Sequence, residues 1–120
     1  MKIFLDAYAM IEICEGNSNY DAYVDMDPIT SYNNLAELYY FMLLAYDEHL
    51  ALESMQRFLD CAIGVTPDII ADAMKFRFRH KKTRFSYIDC LGYYLAKKNN
   101  CKFLTGDRAF GKMEDAIIVR

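Results

Sequence analysis

Short strand-like runs alternate with longer amphipathic segments along the whole chain, and this alternation constrains the fold more than any other feature of the sequence. The runs lie at 3–5, 28–31, 62–65, 101–105 and 117–119. Each has the length of a short buried β-strand. Strands that alternate with helices form a parallel sheet covered on both faces. The sequence therefore predicts an α/β fold, a three-layer α/β/α sandwich around a central, mostly parallel sheet of four or five strands.

The segments between these runs have the period of a helix. Leu35, Leu38, Tyr39, Met42 and Tyr46 recur at i, i+3, i+4, i+7 and i+11, which is one face of a helix. A threonine followed by a proline at 66–67 is typical of an N-cap and a first helical position. The other helices are predicted to end near residue 16, to cover 48–59, to continue from 67 toward 80, and to cover 86–99.

Size and composition limit the classes of protein that this chain can represent. At 120 residues and 54% hydrophobic content, residues 1–120 are expected to form a single domain with its own core. The net charge of -3 gives no general attraction to nucleic acid, so any phosphate binding must be local. The longest apolar run, 38–46, is too short for a membrane span of roughly 20 residues, and we expect a cytoplasmic protein. The cysteines predict neither disulfides nor zinc, because no two form a C-x-x-C pair: Cys14, Cys61, Cys90 and Cys101.

Four acidic residues follow strands or begin helices in a way that brings them to one edge of the predicted sheet. Asp6 directly follows the first strand, and Asp107 follows the 101–105 strand after a single glycine. Glu37 is expected in the first turn of the helix entered from the second strand. Asp89 is expected in the first turn of a helix whose far end leads into the 101–105 strand. Ligands bind at this carboxyl edge in open α/β sheets.

Carboxylates at close quarters repel one another unless a cation compensates. Oxygen ligands suit Mg²⁺ or Mn²⁺, and the absence of nearby His or Cys argues against zinc. Such a site favours hydrolysis of a phosphodiester.

The order of short motifs around these acids resembles the PIN-domain family, over nearly the whole chain. The motifs are Leu-Asp at 5–6, Asn-Leu-Ala-Glu-Leu at 34–38, Ile-Asp-Cys at 88–90 and Leu-Thr-Gly-Asp at 104–107, with Phe110 three residues further on. The resemblance, which includes the compact VapC-type toxins, implies an endoribonuclease. Its catalytic and metal-binding residues would be Asp6, Glu37, Asp89 and Asp107. It also implies Mg²⁺ or Mn²⁺, an RNA substrate, a homodimer and a cognate antitoxin.

One departure from the family pattern concerns the two residues after Asp6. The family commonly has Thr and then Ser or Asn there, whereas this chain has Ala7 and Tyr8. Tyr8 and Thr105 are candidate helpers of the site, but Tyr8 could equally crowd it. The alternative function is therefore a weakly active or inactive module of the same fold that binds RNA or protein.

Helix stability offers a competing explanation for some of the acids. Ser86-x-x-Asp89 fits a capping box, and Asn34-x-x-Glu37 invites a similar explanation. Asp107 could be an ordinary turn residue. Asp6 has no local capping partner in view, which favours a functional role.

The only basic cluster spans 75–84 and contains six Lys or Arg residues and no acid. It either tracks RNA phosphates or forms a solvated helix end. The candidate RNA-binding residues are Lys81, Lys82, Arg84 and Arg108. Phe76, Phe78 and Phe85 interleave with the cluster, and we expect core packing rather than base stacking. The apolar helical face 39–46 is a candidate surface for a dimer or another partner.

Two other classes with acids at a sheet edge are disfavoured. A phosphoacceptor receiver needs a Lys at the end of the strand where this chain has Thr105, and paired acids after the first strand. A haloacid-dehalogenase-type phosphatase needs a second Asp where this chain has Tyr8.

Overall fold

The computed structural model describes all 120 residues and has five parallel strands. The strands are β1 (Ile3–Leu5), β2 (Thr30–Ser31), β3 (Ala62–Ile63), β4 (Lys102–Thr105) and β5 (Ala116–Ile118). Strand β4 lies between β1 and β5, and β2 pairs with β3. A bridge between Phe4 and Ile29 joins the two groups, with Leu5 N donating to Ile29 O at 2.8 Å. The spatial order is therefore β3-β2-β1-β4-β5, which confirms the predicted parallel sheet.

Six α-helices cover the sheet. They are α1 (Ala7–Cys14), α2 (Asp21–Val24), α3 (Tyr32–Ala45), α4 (Glu48–Phe58), α5 (Pro67–Arg79) and α6 (Tyr87–Lys98). Short 3₁₀ turns at Ser18–Tyr20, Leu59–Cys61, Lys81–Thr83 and Arg108–Phe110 complete the connections. None of the six helices combines the length and the hydrophobicity that a membrane-spanning segment requires.

The strands divide the core into two clusters because successive side chains of a strand point to opposite faces. Ile3 and Leu5 pack with α1, α3 and α4 on one face. Phe4, between them, packs with α5 and α6 on the other. Phe4 also stacks on Phe103 of β4, its register partner, at a centroid distance of 5.8 Å. This two-sided burial confirms the three-layer arrangement.

Two predictions about the helices were incomplete. Helix α2 and the turn before it were not predicted, because segments of three or four residues are too short to show a period. Helix α3 begins at Tyr32 with Ser31 as its N-cap, a turn earlier than its apolar period suggests, because the residues of its first turn, Tyr32 and Asn33, are polar or exposed. Ser31 Oγ accepts from Asn34 N at 3.0 Å, so Asn34 lies inside the helix and does not begin it.

Candidate active site at the carboxyl edge of the sheet

Asp6 occupies the turn between β1 and α1, and it is only 4% exposed. Its carboxylate accepts a hydrogen bond from Ala9 N at 2.8 Å, so it is the N-cap of α1. The expectation that Asp6 lacks a local capping partner was therefore wrong. Burial raises the pKa of Asp6 to about 7, against the lowering effect of hydrogen bonds from Thr105 and Ala9. Capping explains the position of this carboxylate but not its burial.

Glu37 lies in the second turn of α3, not in the first turn as predicted, because the helix begins at Tyr32. A capping role for Glu37 is therefore ruled out, and its side chain makes no hydrogen bond within the protein. Burial raises its pKa to about 7, with a further contribution from the negative charge of Asp89. The Glu37 carboxylate thus has no hydrogen-bonding partner in the protein and lies near the negative charge of Asp89.

Asp89 is the third residue of α6 and takes part in the predicted capping box. Ser86 N donates to its Oδ2, and Asp89 N donates to Ser86 Oγ, both at 3.0 Å. Its Oδ1 makes no hydrogen bond within the protein. Burial raises the pKa of Asp89, as does the charge of Asp107, while the bonds from Ser86 lower it. The capping box is thus real, and it holds Asp89 in place with one oxygen free.

Asp107 follows β4 and begins a 3₁₀ turn, where its Oδ1 accepts from Ala109 N at 2.9 Å. Thr105, the last residue of β4, is fully buried and lies between Asp107 and Asp6. Its hydroxyl accepts from Asp107 N at 3.0 Å, and its interaction with the Asp6 carboxylate lowers the pKa of Asp6. Thr105 therefore links the two acids that follow neighbouring strands.

The four acids influence one another electrostatically. The negative charges of Asp89 and Glu37 both raise the pKa of Asp6, Asp89 raises that of Glu37, and Asp107 raises that of Asp89. The topology thus brings all four toward one edge. The four acids do not surround one point, however: no group of three or more His, Cys, Asp or Glu side chains is placed to hold a metal ion.

Tyr8 packs against the glycine between Thr105 and Asp107. A Cβ atom at position 106 would lie 2.0 Å from Cε1 of Tyr8, so a side chain there would require the Tyr8 ring to move. The Arg120 guanidinium donates to the Gly106 carbonyl at 3.1 Å and lies 5.9 Å from the centroid of the Tyr8 ring. The Tyr8 hydroxyl makes no hydrogen bond to any of the four acids. The Tyr8 ring therefore lies at the rim of the site, against Gly106.

The candidate RNA-binding residues divide into two groups. Lys81 and Arg84 line a cavity at the end of α5, and Lys82 is exposed on the same 3₁₀ turn. Arg108 is exposed and directly follows Asp107. Of the three phenylalanines in this region, Phe76 and Phe85 are buried as expected, whereas Phe78 is 72% exposed. The core-packing prediction was therefore wrong for Phe78.

Two contacts near the site were not anticipated from the sequence. The Thr30 hydroxyl donates to the Leu5 carbonyl at 2.7 Å, which fixes β2 beside the residue before Asp6. Arg120 reaches the site from the segment after β5. The rule that the residues after parallel strands meet at one edge would have placed Arg120 there, had it been applied to the last strand as well.

The family model for the PIN domain matches residues 3–116. The chain belongs to the PIN-domain family. No curated protein sequence matches it significantly. The parallel sheet and the order of the motifs thus belong to a PIN domain.

Solved structures with the same fold include several toxin–antitoxin proteins. VapC20 of Mycobacterium tuberculosis, a toxin that cleaves the sarcin–ricin loop, has a TM-score of 0.82 and 18% identity over 98% of each chain. VapBC2 of Rickettsia felis, bound to a promoter DNA fragment, has a TM-score of 0.76 and 16% identity over 99% of this chain and 98% of that chain. FitAcB of Neisseria gonorrhoeae has a TM-score of 0.69 and 18% identity over 100% of this PIN domain and 97% of that chain. At these identities the likeness establishes the fold.

Proposed function

We propose that this PIN domain is a divalent-metal-dependent endoribonuclease and the toxin of a toxin–antitoxin pair, acting in the cytoplasm as one domain of residues 1–120. The observation that carries the proposal is the group of four acids at the carboxyl edge of the sheet. Three of them have raised pKa values: Asp6, which is buried, and Glu37 and Asp89, which are partly buried, each with the charge of another carboxylate nearby. Acids with perturbed pKa values at such an edge favour a functional site over capping.

The donor set suits Mg²⁺ or Mn²⁺. All four candidate ligands are carboxylates, and hard divalent ions of this kind retain several waters and bind one or two carboxylates each. An open arrangement without three acids around one point is compatible with such hydrated binding. The residues that would hold the ions are Asp6, Glu37, Asp89 and Asp107. A divalent cation would activate water for attack on the phosphodiester and offset charge that develops on the phosphate oxygens.

The protein's own groups prepare this site by fixing the acids before a ligand arrives. Ala9 N holds one oxygen of Asp6, Ser86 N holds Oδ2 of Asp89, and Ala109 N holds Oδ1 of Asp107. In the last two acids, the second oxygen has no hydrogen bond within the protein and is free to bind. Glu37 is anchored only by its helix. Arg108, next to Asp107, can contact an RNA phosphate without selecting a base.

The test is cleavage of an end-labelled, partly single-stranded RNA with Mg²⁺, with Mn²⁺ and with EDTA. The Asp6→Asn variant is assayed alongside, because Asn removes the charge and still caps a helix. Asp72→Asn is the matched control, since Asp72 is exposed on α5 and lies outside the four-acid group. We expect cleavage by the wild type and by Asp72→Asn with a metal, and none with EDTA or Asp6→Asn. Cleavage that survives in EDTA or in Asp6→Asn would refute this mechanism.

The second candidate function is an inactive module that binds RNA or protein. It is favoured by the ring of Tyr8, which packs on Gly106. Position 8 is one of the two positions after Asp6 where the family commonly has small polar residues. Folded protein that cleaves none of several RNAs with either metal, but still gains thermal stability from Mn²⁺, would support this candidate. In that case Tyr8→Ser should restore cleavage.

We also propose an antitoxin partner and a homodimer, with the exposed apolar side of α3 as the dimer surface. Tyr40, Leu43 and Leu44 on this helix and Tyr46 just after it are all exposed, Leu44 to 71%. Apolar patches of this kind mark interaction surfaces. Light scattering should give a dimer for the wild type and a monomer for Leu44→Glu. An unchanged dimer in this variant would place the interface elsewhere.

A further inference from the structure

We propose that the cavity beside the acids binds an unpaired nucleotide of the RNA, next to the phosphate that is cleaved. This inference rests on the proposed ribonuclease function and identifies one part of its substrate. The cavity has a volume of about 530 Å³ and lies between the end of α5, the 3₁₀ turn at 81–83 and the start of α6. Its polar lining residues are Arg77, Lys81, Arg84 and Ser86.

The cavity is positively charged in a protein whose net charge is -3. It is lined by three basic side chains, and no acid occurs between Asp72 and Asp89 in the sequence. Arg77 Nε donates to the Phe85 carbonyl at 3.2 Å, which fixes the guanidinium, while its terminal N–H groups have no protein partner. A guanidinium held in this way is suited to bind a phosphate oxygen.

The cavity also has an aromatic wall. Phe78 exposes 72% of its surface, and the Lys81 Nζ lies 5.1 Å from the centroid of its ring. Phe85, the other aromatic residue of the lining, is buried and therefore supports the cavity from below. An exposed ring next to a cation is the combination that proteins use to bind single-stranded nucleic acid, with the base on the ring and the phosphate on the charge.

The position of the cavity connects it to the acids. Ser86 lines the cavity and also forms the capping box with Asp89. Phe85 stacks on Phe110 at 4.4 Å, and Phe110 lies in the 3₁₀ turn that Asp107 begins. A strand whose phosphate lies at the acids can therefore place the neighbouring nucleotide in the cavity.

The proposal is tested by fluorescence anisotropy with a short, end-labelled single-stranded RNA in EDTA, where no metal-dependent cleavage occurs. Phe78→Ala should weaken binding about ten-fold, and Phe78→Tyr, which keeps a ring, should restore it. The double variant Lys81→Gln/Arg84→Gln should reduce the slope of log K against log salt by about 0.7 for each lost phosphate contact. Lys75→Gln is the matched control, because Lys75 is exposed on the same helix but does not line the cavity.

The outcomes separate this proposal from the ribonuclease proposal. Unchanged RNA binding by Phe78→Ala, with normal cleavage by the wild type, would overturn the nucleotide site and leave the nuclease intact. Loss of binding in Phe78→Ala and recovery in Phe78→Tyr would support the site even if no RNA were cleaved. If Lys75→Gln weakens RNA binding as much as the cavity variants do, the nucleotide site is overturned in favour of general charge attraction. Displacement of the RNA by a poly-glutamate peptide, with no effect of Phe78→Ala, would overturn it in favour of an acidic protein partner.

Discussion

The starts of helices α1 and α4 have the same local structure but different surroundings. Asp6 caps α1 by accepting from Ala9 N at 2.8 Å, and Asp47 caps α4 by accepting from Leu50 N at 2.9 Å. Asp47 is exposed, as N-caps usually are, whereas Asp6 is buried and faces Asp89 and Glu37. The two capping hydrogen bonds are thus alike, but burial disfavours the charged carboxylate only at Asp6.

This difference shows how a structural role and a functional role can be separated when one residue has both. An Asp that only caps a helix gains nothing from burial, because burial disfavours its charged form. The raised pKa of Asp6 therefore marks the part of its environment that capping does not explain. Substitutions at Asp6 and at Asp47 should therefore have different effects on RNA cleavage and on stability.

The largest expected difference is in cleavage. Asp6→Ala should reduce metal-dependent RNA cleavage about a thousand-fold, since metal binding contributes several kcal/mol to catalysis, whereas Asp47→Ala should leave cleavage within about two-fold. Stability should show the reverse order. Asp47→Ala should lose about 1 kcal/mol of unfolding free energy at pH 8, and Asp6→Ala should lose less, because it also removes a repelled charge. Equal stability losses with cleavage intact in both would reduce Asp6 to a cap.

The next difference is in the pH dependence of stability without metal. Folded Asp6 keeps its proton up to pH about 7, whereas in the unfolded chain it loses the proton near pH 3.8, the ordinary pKa of an aspartate side chain. The folded state therefore binds more protons in this window, and its stability should fall by a few kcal/mol as the pH rises from about 4 to about 7. Mg²⁺ should restore stability above pH 7.

Thermal unfolding in EDTA across this pH range gives the measurement. Because Glu37 and Asp89 contribute with the same sign, the useful quantity is the difference between the wild type and Asp6→Asn. The slope should be shallower in Asp6→Asn and unchanged in Asp47→Asn. A wild-type protein that becomes more stable from pH 4 to 7, with no difference from Asp6→Asn, would contradict the buried-charge account.

A smaller effect is expected at the start of α6, where capping and site positioning coincide. Ser86→Ala removes the bond from Asp89 N to Ser86 Oγ and should cost about 1 kcal/mol of unfolding free energy. It should also reduce cleavage about ten-fold, because Asp89 loses a group that orients it. Thr66→Ala is the control, since Thr66 precedes α5 but forms no side-chain cap. A loss of stability without a change in cleavage would mean that the capping box serves the helix only.

The smallest effect is expected at Tyr8. Tyr8→Phe keeps the ring against Gly106 and removes a hydroxyl that bonds none of the acids, so cleavage should stay within about two-fold of wild type. A loss greater than ten-fold would show that the hydroxyl acts in the site, as its family position suggests. Steady-state cleavage rates at saturating metal concentration measure this effect.

Most of the fold followed from local patterns, because the strand-like runs and helical periods are long enough to be recognised. The capping box at Ser86 and the helix start at Pro67 were confirmed for the same reason. The start of α3 was misplaced because the exposed first turn of a helix carries no apolar period, and this error gave Glu37 a capping explanation that it does not have.

The sequence predicted which residues belong to the candidate site, but not how their side chains are arranged. The carboxyl-edge rule brings Asp6 and Asp107 together from the topology alone. It cannot say which oxygen of each acid is held by a backbone amide, how open the group is, or where the Tyr8 ring lies. Those features depend on side-chain packing between elements far apart in sequence, such as the contact between Tyr8 and Arg120.

The close approach of Tyr8 to Gly106 has a consequence for how this chain can vary among its descendants. Any side chain at position 106 overlaps the ring as it is placed, so position 106 is constrained to glycine for as long as an aromatic residue at position 8 keeps this orientation. Replacing the tyrosine first with a small residue removes that constraint, whereas changing the glycine first forces an overlap beside Asp107. The two positions should therefore change in a fixed order, and sequences of close relatives should pair a large residue at 8 only with glycine at 106.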